Sequence, residues 1–448
     1  MAEESIEDIA LHQNHYVSHL ADVNKTTDVV STEDIFNKNG VLIVPKGARI
    51  NHGVAEKILR HKLVKPLEDQ VGLGDSVNKE ILLADFMNLL VKYKDLQVVH
   101  QRNKFEKPFA GLVENAEFNS VLIQKLTVLR LQLAKEYNKS LFSGWLSALI
   151  SHELGMTAEL TRAAFFAGLF HDIGLLNVAP ATLQKVDTLT SDEWRAIQSH
   201  VVVGKLILGD MQELHPGVGM AVLEHHERCD GSGYPAGKTE KELDVMGQVI
   251  GMADSMQSIR VNQLEQQERN LRDALPYLHM NSTIHFRQVY GAMCCILKKS
   301  GIPPSTVNPF GDYHKYVDHL LARAEKLKKA KLILVPLINF VESYKENPCV
   351  KKMERIVLPV SQMINSSGLL ESSLLDWLKS LDSRSGKVKI EELSEVELMQ
   401  NELYWQLKKL HKSINECLKK GKEGVKIKKE LSRNLEAFSE DMQRVLFS

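Results

Sequence analysis

Cysteine is scarce in this chain. Cys229, Cys294, Cys295, Cys349 and Cys417 form no CxxC pair and keep no regular spacing, which excludes a disulfide scaffold and points to a reducing cytoplasm. A charge excess of either sign is also missing. Lys+Arg number 56 and Asp+Glu 57, so no global field favours nucleic acid or an anionic membrane. No apolar run of about 18 residues occurs; the best stretch, Leu332 to Val341, is short and holds Pro336. The opening MAEESIEDIALHQNHYVSHL is acidic where a signal peptide is basic and lacks an apolar segment. The expectation is a cytoplasmic protein that binds neither nucleic acid nor membrane, and that any membrane signal reaches through a partner.

What is present reads as a soluble globular chain: 448 residues, 44% hydrophobic and 25% charged. That length predicts two or three domains. Residues 1–125 are expected to hold a small α+β element. There Asn39-Gly40, the run Val41-Leu42-Ile43-Val44 and Gly47 read as a hairpin or turn-strand-turn, and Asn51 is placed to cap a short helix through Leu59. Residues 126–300 are helical by periodicity, with Leu126, Leu129 and Leu133, then Leu141, Trp145 and Leu149, recurring at helical intervals. Ala163 to Phe170 is apolar all round, as in a buried helix whose small residues let neighbours come close. Thr190 and Glu193 form a capping box that opens a helix carrying Trp194, Ile197 and His200.

The Pro- and Gly-rich stretch from Ser300 to Gly311 ends that region. Residues 313–448 are expected to be helical and Lys-rich. Leu403, Leu407, Leu410, Ile414 and Cys417 alternate four- and three-residue steps. Because the run covers only about two heptads, it reads as a bundle helix ahead of a dimerising coil, which leaves a homodimer open. The Lys pairs 408–409, 419–420 and 428–429 read as a solvated face.

The chemistry lies in a set scattered over some 80 residues: His171-Asp172-Ile173-Gly174, His200, His225-His226-Glu227, Asp230-Gly231-Ser232-Gly233-Tyr234-Pro235 and Ala253-Asp254. A lone histidine on an apolar helix is ordinarily a satisfied core residue. Histidines gathered in His-Asp and His-His pairs within one helical segment are harder to explain that way. Imidazole with carboxylate suits Fe, Mn, Zn or Ni rather than Ca or Mg. A carboxylate beside a histidine can bridge two cations, and two cations a few Å apart clamp a phosphate and generate hydroxide. The residues alone predict a metal site for a phosphoester.

The string HDIG, then His200, then HHExxDGSGYP, then Ala-Asp resembles the HD-GYP subfamily of HD-domain phosphohydrolases. The resemblance covers about 170 residues and implies a mainly α protein. It would consist of a helical HD-GYP domain, the small α+β element before it and a helical region after it. It also implies a phosphodiesterase acting on cyclic di-GMP with divalent iron or manganese, one or two ions. By this resemblance His171, Asp172, His200, His225, His226 and Asp254 are the metal ligands, with Asp172 bridging and catalytic. Gly233, Tyr234 and Pro235 would form the loop by which the family meets signalling proteins such as diguanylate cyclases.

The chain departs from the pattern in four places, one being that the glutamate of three-metal members, a turn before the first metal histidine, falls on Lys135. The family's first metal histidine lies about thirty residues before the HD pair, and Lys139 stands there, opposing a cation by charge. His152 cannot replace it, being 13 residues further along the same helix, roughly 20 Å at 1.5 Å per residue. The lysine of the usual HDIGK is Leu175, and Ser255 to Val261 lacks the family's polar anchors. The expected function is therefore weak hydrolysis of cyclic di-GMP or a related nucleotide. The alternative is an inactive domain that senses a nucleotide or docks a partner, and a scaffold is the third reading. Lys139 is expected within a few Å of Asp172 or Asp254.

Overall fold

The computed structural model describes residues 15–186, 189–209, 211–344, 346–381, 390–422 and 429–447. The acidic first fourteen residues and Lys428 lie outside the described residues. The chain divides into two compact units, one taking residues up to 229 with 233–258 and 285–301, the other 230–232, 259–284 and 302–448.

The first unit opens with helix α1 (Tyr16–Val23), β1 (Val29–Ser31), β2 (Ile35–Phe36), β3 (Leu42–Val44), helix α2 (His52–Leu59) and β4 (Val71–Leu73). β2 and β3 pair antiparallel, Ile35 opposite Val44. The Asn37 side chain closes their turn by accepting from the Asn39 and Val41 amides (3.0 and 2.9 Å). β1 pairs with the distant β4, so the α+β element holds two two-stranded ribbons rather than one sheet. Asn51 caps α2 by accepting from Val54 N (3.0 Å), as its position predicts.

Helices follow: α3 (Lys79–Lys92), α4 (Ser120–Gln132), α5 (Ala134–Glu153), α6 (Ala158–Phe170), α7 (Ser191–Gln198), α8 (His200–Gly209), α9 (Gly217–Glu224), α10 (Val245–Ile259) and α11 (Arg287–Ser300). Every residue from Ala163 to Phe170 is buried, and so are Leu141, Trp145 and Leu149 on α5. The capping box at Thr190 and Glu193 is formed, but its helix ends at Gln198, so His200 opens the next helix rather than riding on this one. α1 holds the turn after His171-Asp172 in place. His15 N donates to Asn177 O, and His19 Nε2 to Val178 O, each at 3.1 Å. The α+β element thus braces the backbone that carries Asp172.

The second unit holds α12 (Tyr313–Ser343), α13 (Pro348–Ser366), α14 (Ser372–Ser380), α15 (Ile390–Lys422) and α16 (Lys429–Phe447). Leu403, Leu407, Leu410, Ile414 and Cys417 of α15 pack in one core with Leu320 and Leu327 of α12 and Leu435 and Met442 of α16. Their four-three rhythm is therefore that of a bundle helix. Residues 259–284 go with this unit: buried Arg269 pairs with Glu397 (3.1 Å), which also accepts from Tyr316 Oη (2.7 Å). Among the described residues no helix is long and apolar enough to cross a membrane.

One buried ion pair ties α4 to the α+β element. Lys125, 1% exposed, donates to Glu68 (2.7 Å) and lies 3.8 Å over the Tyr16 ring. Breaking such a pair strands a buried charge. We expect Glu68→Gln to lower unfolding free energy by about 3 kcal/mol or more. Adding Lys125→Met should restore most of that loss in urea titrations, since neither charge then remains.

Candidate metal centre

The site is assembled from helix ends. His171 closes α6, and Asp172 opens the 3-10 turn Ile173–Asn177. His200 is the first residue of α8, His225 caps the C-terminus of α9 with His226 next, and Asp254 sits on α10. Gly174 permits the approach of α8 to this turn, because a Cβ there would stand 2.1 Å from the His200 carbonyl oxygen.

Three of the imidazoles are tethered alike. Nδ1 of His171, His200 and His225 donates to the carbonyl three residues earlier, at Gly168 (2.9 Å), Ile197 (2.7 Å) and Val222 (2.7 Å). Each tether fixes the proton on Nδ1, so that in the neutral ring Nε2 is a lone-pair donor aimed inward. All three Nε2 atoms are buried and make no hydrogen bond. A buried polar atom without a partner is costly, and three such donors meeting at a carboxylate fit a divalent cation.

Ligand atoms of Asp172, His200, His225 and His226 all lie within 4.8 Å of one another. The two oxygens of Asp172 face different neighbours. Oδ1 is 3.3 Å from His200 Nε2, whereas Oδ2 is 3.2 Å from His171 Nε2 and 4.0 Å from Lys139 Nζ. Asp254 closes the far side, with Oδ1 3.8 Å from His171 Nε2 and Oδ2 3.7 Å from His226 Nδ1. The structure thus brings together all six residues expected as ligands, with Lys139 beside Asp172. His152 is elsewhere, its ring 5.3 Å from that of Phe105.

Electrostatics prepare most of the donors. Burial pushes His200 down, and His225 and His226 well down, so their imidazoles are neutral. His171 is the exception: burial opposes its charge, yet Asp172 and Asp254 draw it up. Asp172 is held well below the ordinary carboxylate range, burial being outweighed by His171, Lys139 and His200. Asp172 and then Asp254 raise Lys139, which keeps its ammonium.

Two carboxylates that the motif reading left without a role shape the rim. Buried Glu227 accepts from the amides of Ala236 (2.7 Å), Gly237 (3.1 Å) and Lys238 (2.9 Å). Buried Glu224 accepts from Lys238 Nζ (2.6 Å) and Asp244 N (2.9 Å). These bonds tie the chain after Gly233-Tyr234-Pro235 to Glu224 and Glu227, and the Tyr234 ring stacks on His226 with centroids 4.6 Å apart. The available signal was the acid that ends His225-His226-Glu227. Leu175 is buried, and Arg260, in the segment after Asp254, pairs with Glu265.

A helical domain with a His/Asp cluster at its helix ends is the arrangement of an HD domain, and residues 122–287 match the family model described as HD domain. With the HD pair, the His-His pair and Gly233-Tyr234-Pro235 in one module, residues 122–287 are an HD domain of the HD-GYP kind. A cyclic di-GMP phosphodiesterase of Thermotoga maritima is 37% identical over 118 residues, 26% of this chain and 32% of that protein. The cyclic di-GMP phosphodiesterase response regulator RpfG of Xanthomonas campestris pv. campestris is 29% identical over 163 residues, covering 35% and 43%. The 3'3'-cGAMP-specific phosphodiesterase 1 of Vibrio cholerae is 33% identical over 115 residues, covering 25% of each. The chain thus spans less than half the length of these relatives.

The histidines set a pH dependence of the metal-free fold. His200, His225, His226 and His285, the last pushed down to about 3 by burial, have folded values below the unfolded value of about 6.5. As pH falls through about 6.5 the unfolded chain takes up protons that the folded chain refuses, so stability is lost. His171, raised, works the opposite way but is outnumbered. We expect the denaturant midpoint of the metal-free chain to fall from pH 7 to pH 5; a rise would contradict the neutral assignments.

Proposed function

We propose that this chain is a metal-dependent phosphodiesterase acting on a cyclic dinucleotide of the cyclic di-GMP type, with slow turnover. The observation that carries the reading is the clustering of ligand atoms of Asp172, His200, His225 and His226 within 4.8 Å of one another, with the tethered His171 Nε2 3.2 Å from the other Asp172 oxygen. His171, Asp172, His200, His225, His226 and Asp254 would hold one or two divalent ions, and their nitrogen and carboxylate donors suit iron or manganese. A bound ion supplies Lewis acidity toward the phosphate and a hydroxide near neutral pH. The names of the relatives support the cyclic-dinucleotide substrate.

The chain's own residues divide the remaining work. Asp172 serves both sides of the centre through its two oxygens, as a bridging ligand would. Lys139, beside Oδ2, offers fixed positive charge to a phosphate oxygen, although it is a poor neighbour for a second cation. Water attack on phosphorus breaks one P–O bond of the ring and yields a linear dinucleotide. Leu175 and the segment from Ser255 to Val261 leave that substrate poorly held. Each missing charged contact is worth on the order of 1.5–3 kcal/mol, so two or three together slow turnover by several decades.

Lys139 and Leu175 also favour a second reading, a domain that binds the nucleotide without hydrolysing it. In that reading the loop Gly233, Tyr234 and Pro235 would pass the signal to a partner such as a diguanylate cyclase. The test is to load the full chain anaerobically with Fe(II) or Mn(II) and follow cyclic di-GMP and 3'3'-cGAMP by chromatography. We expect slow, metal-dependent conversion that Asp172→Ala abolishes together with most bound metal. Saturable nucleotide binding without product selects the second reading. A fast rate at neutral pH overturns the weak-turnover proposal, and neither binding nor product overturns both.

A further inference from the structure

Among the cluster histidines, His226 is oriented differently. His171, His200 and His225 are each locked by an Nδ1–carbonyl bond, whereas the Nδ1 of His226 faces Asp254 Oδ2 at 3.7 Å, too far for a hydrogen bond. Its ring lies instead between two others: His225 on one contact, centroids 4.0 Å apart, and Tyr234 on the other, at 4.6 Å with planes 26° apart. The loop that brings Tyr234 there is pressed against the same backbone. Tyr234 N donates to His226 O (3.2 Å), and a Cβ on Gly233 would stand 2.4 Å from that oxygen. The three loop amides gathered by Glu227 then fix the return.

We infer that Tyr234 is a positioning residue for the metal centre, its ring taking the orienting role for His226 that a backbone carbonyl takes for the other histidines. Ligands are aimed by the groups behind them, and disturbing such groups typically weakens metal binding ten- to hundredfold. Offset stacking between planar rings restricts the tilt of both. On this assignment the loop is part of the centre, and whatever shifts the loop shifts the affinity for the ion. The inference rests on the metal reading above, and its test needs no substrate.

The experiment titrates the metal-free full chain with Mn²⁺ by calorimetry. Tyr234→Leu, which keeps apolar bulk but loses the plane, should weaken binding about ten- to hundredfold, while Tyr234→Phe should bind as the unsubstituted chain does. In a His226→Gln background Tyr234→Leu should add no further loss, because the ring then has nothing to orient. A second readout uses no metal. In the histidine-labelled chain, the His226 ring protons should resonate upfield under the Tyr234 ring, stay there in Tyr234→Phe and relax in Tyr234→Leu. Unchanged affinity in Tyr234→Leu, equal losses in the Phe and Leu variants, or His226 protons without an upfield shift would each overturn the assignment. If Tyr234→Leu does not fold, the Phe variant and the shift in the unsubstituted chain still decide. Failure of the unsubstituted chain to bind Mn²⁺ defeats the metal reading, while the proton shift judges Tyr234 independently.

Discussion

A histidine at a helix end can bond back to the carbonyl three residues before it, and the centre depends on that bond made three times. The last carbonyls of a helix have no partner further along the chain. At His171 and His225 the ring satisfies such a carbonyl, and His200 does the same for Ile197 at the end of α7. The same bond that quiets the helix end fixes the tautomer and turns Nε2 inward. The three lone pairs are thus aimed by the backbone, at no cost in side-chain partners. That the helices end at one place is in turn a matter of packing. The all-round apolar α6 is buried against α5, and the absence of a side chain at Gly174 lets α8 start against the Asp172 turn.

Much of this was legible in the sequence because its signals are local. Apolar periodicity located α5 and α6, the Thr190–Glu193 pair located the start of α7, and Asn37 to Val44 gave the hairpin. The six His and Asp positions could be read as one set because their pairs fall within one helical segment. Less legible were features that depend on distant pairing. β4 joins β1 across some forty residues of chain and no local pattern announces it. Residues 259–284 read as part of the central helical region by position. Their membership in the second unit follows from buried Arg269 and Asn281 finding Glu397 and Glu402, pairings over more than a hundred residues. Glu224 and Glu227 look in sequence like acids beside histidines; only the fold shows that their partners are loop amides and Lys238.

Charge decides how far the centre can go. Asp172 and Asp254 bring two negative charges to a pocket that already holds the Lys139 ammonium beside Oδ2. One divalent ion held by Asp172, His200, His225 and His226 would leave the pocket slightly positive, a field that would suit the proposed phosphodiester. A second ion on the Oδ2 side would face Lys139 across a few Å with only His171, Asp254 and the shared oxygen to hold it. At an effective dielectric of about 20, two unit charges 4 Å apart repel by about 4 kcal/mol and a divalent ion by about twice that, before solvent screening of the partly exposed Lys139. The asymmetry of the two oxygens of Asp172 would therefore make the His200 side the stronger cation site on the metal reading proposed above. The Lys139 side carries a charge that cannot dissociate and that coordinates nothing. On the proposed phosphodiesterase reading, positive charge for a phosphate would be kept while a second Lewis acid would be weakened, in line with slow turnover.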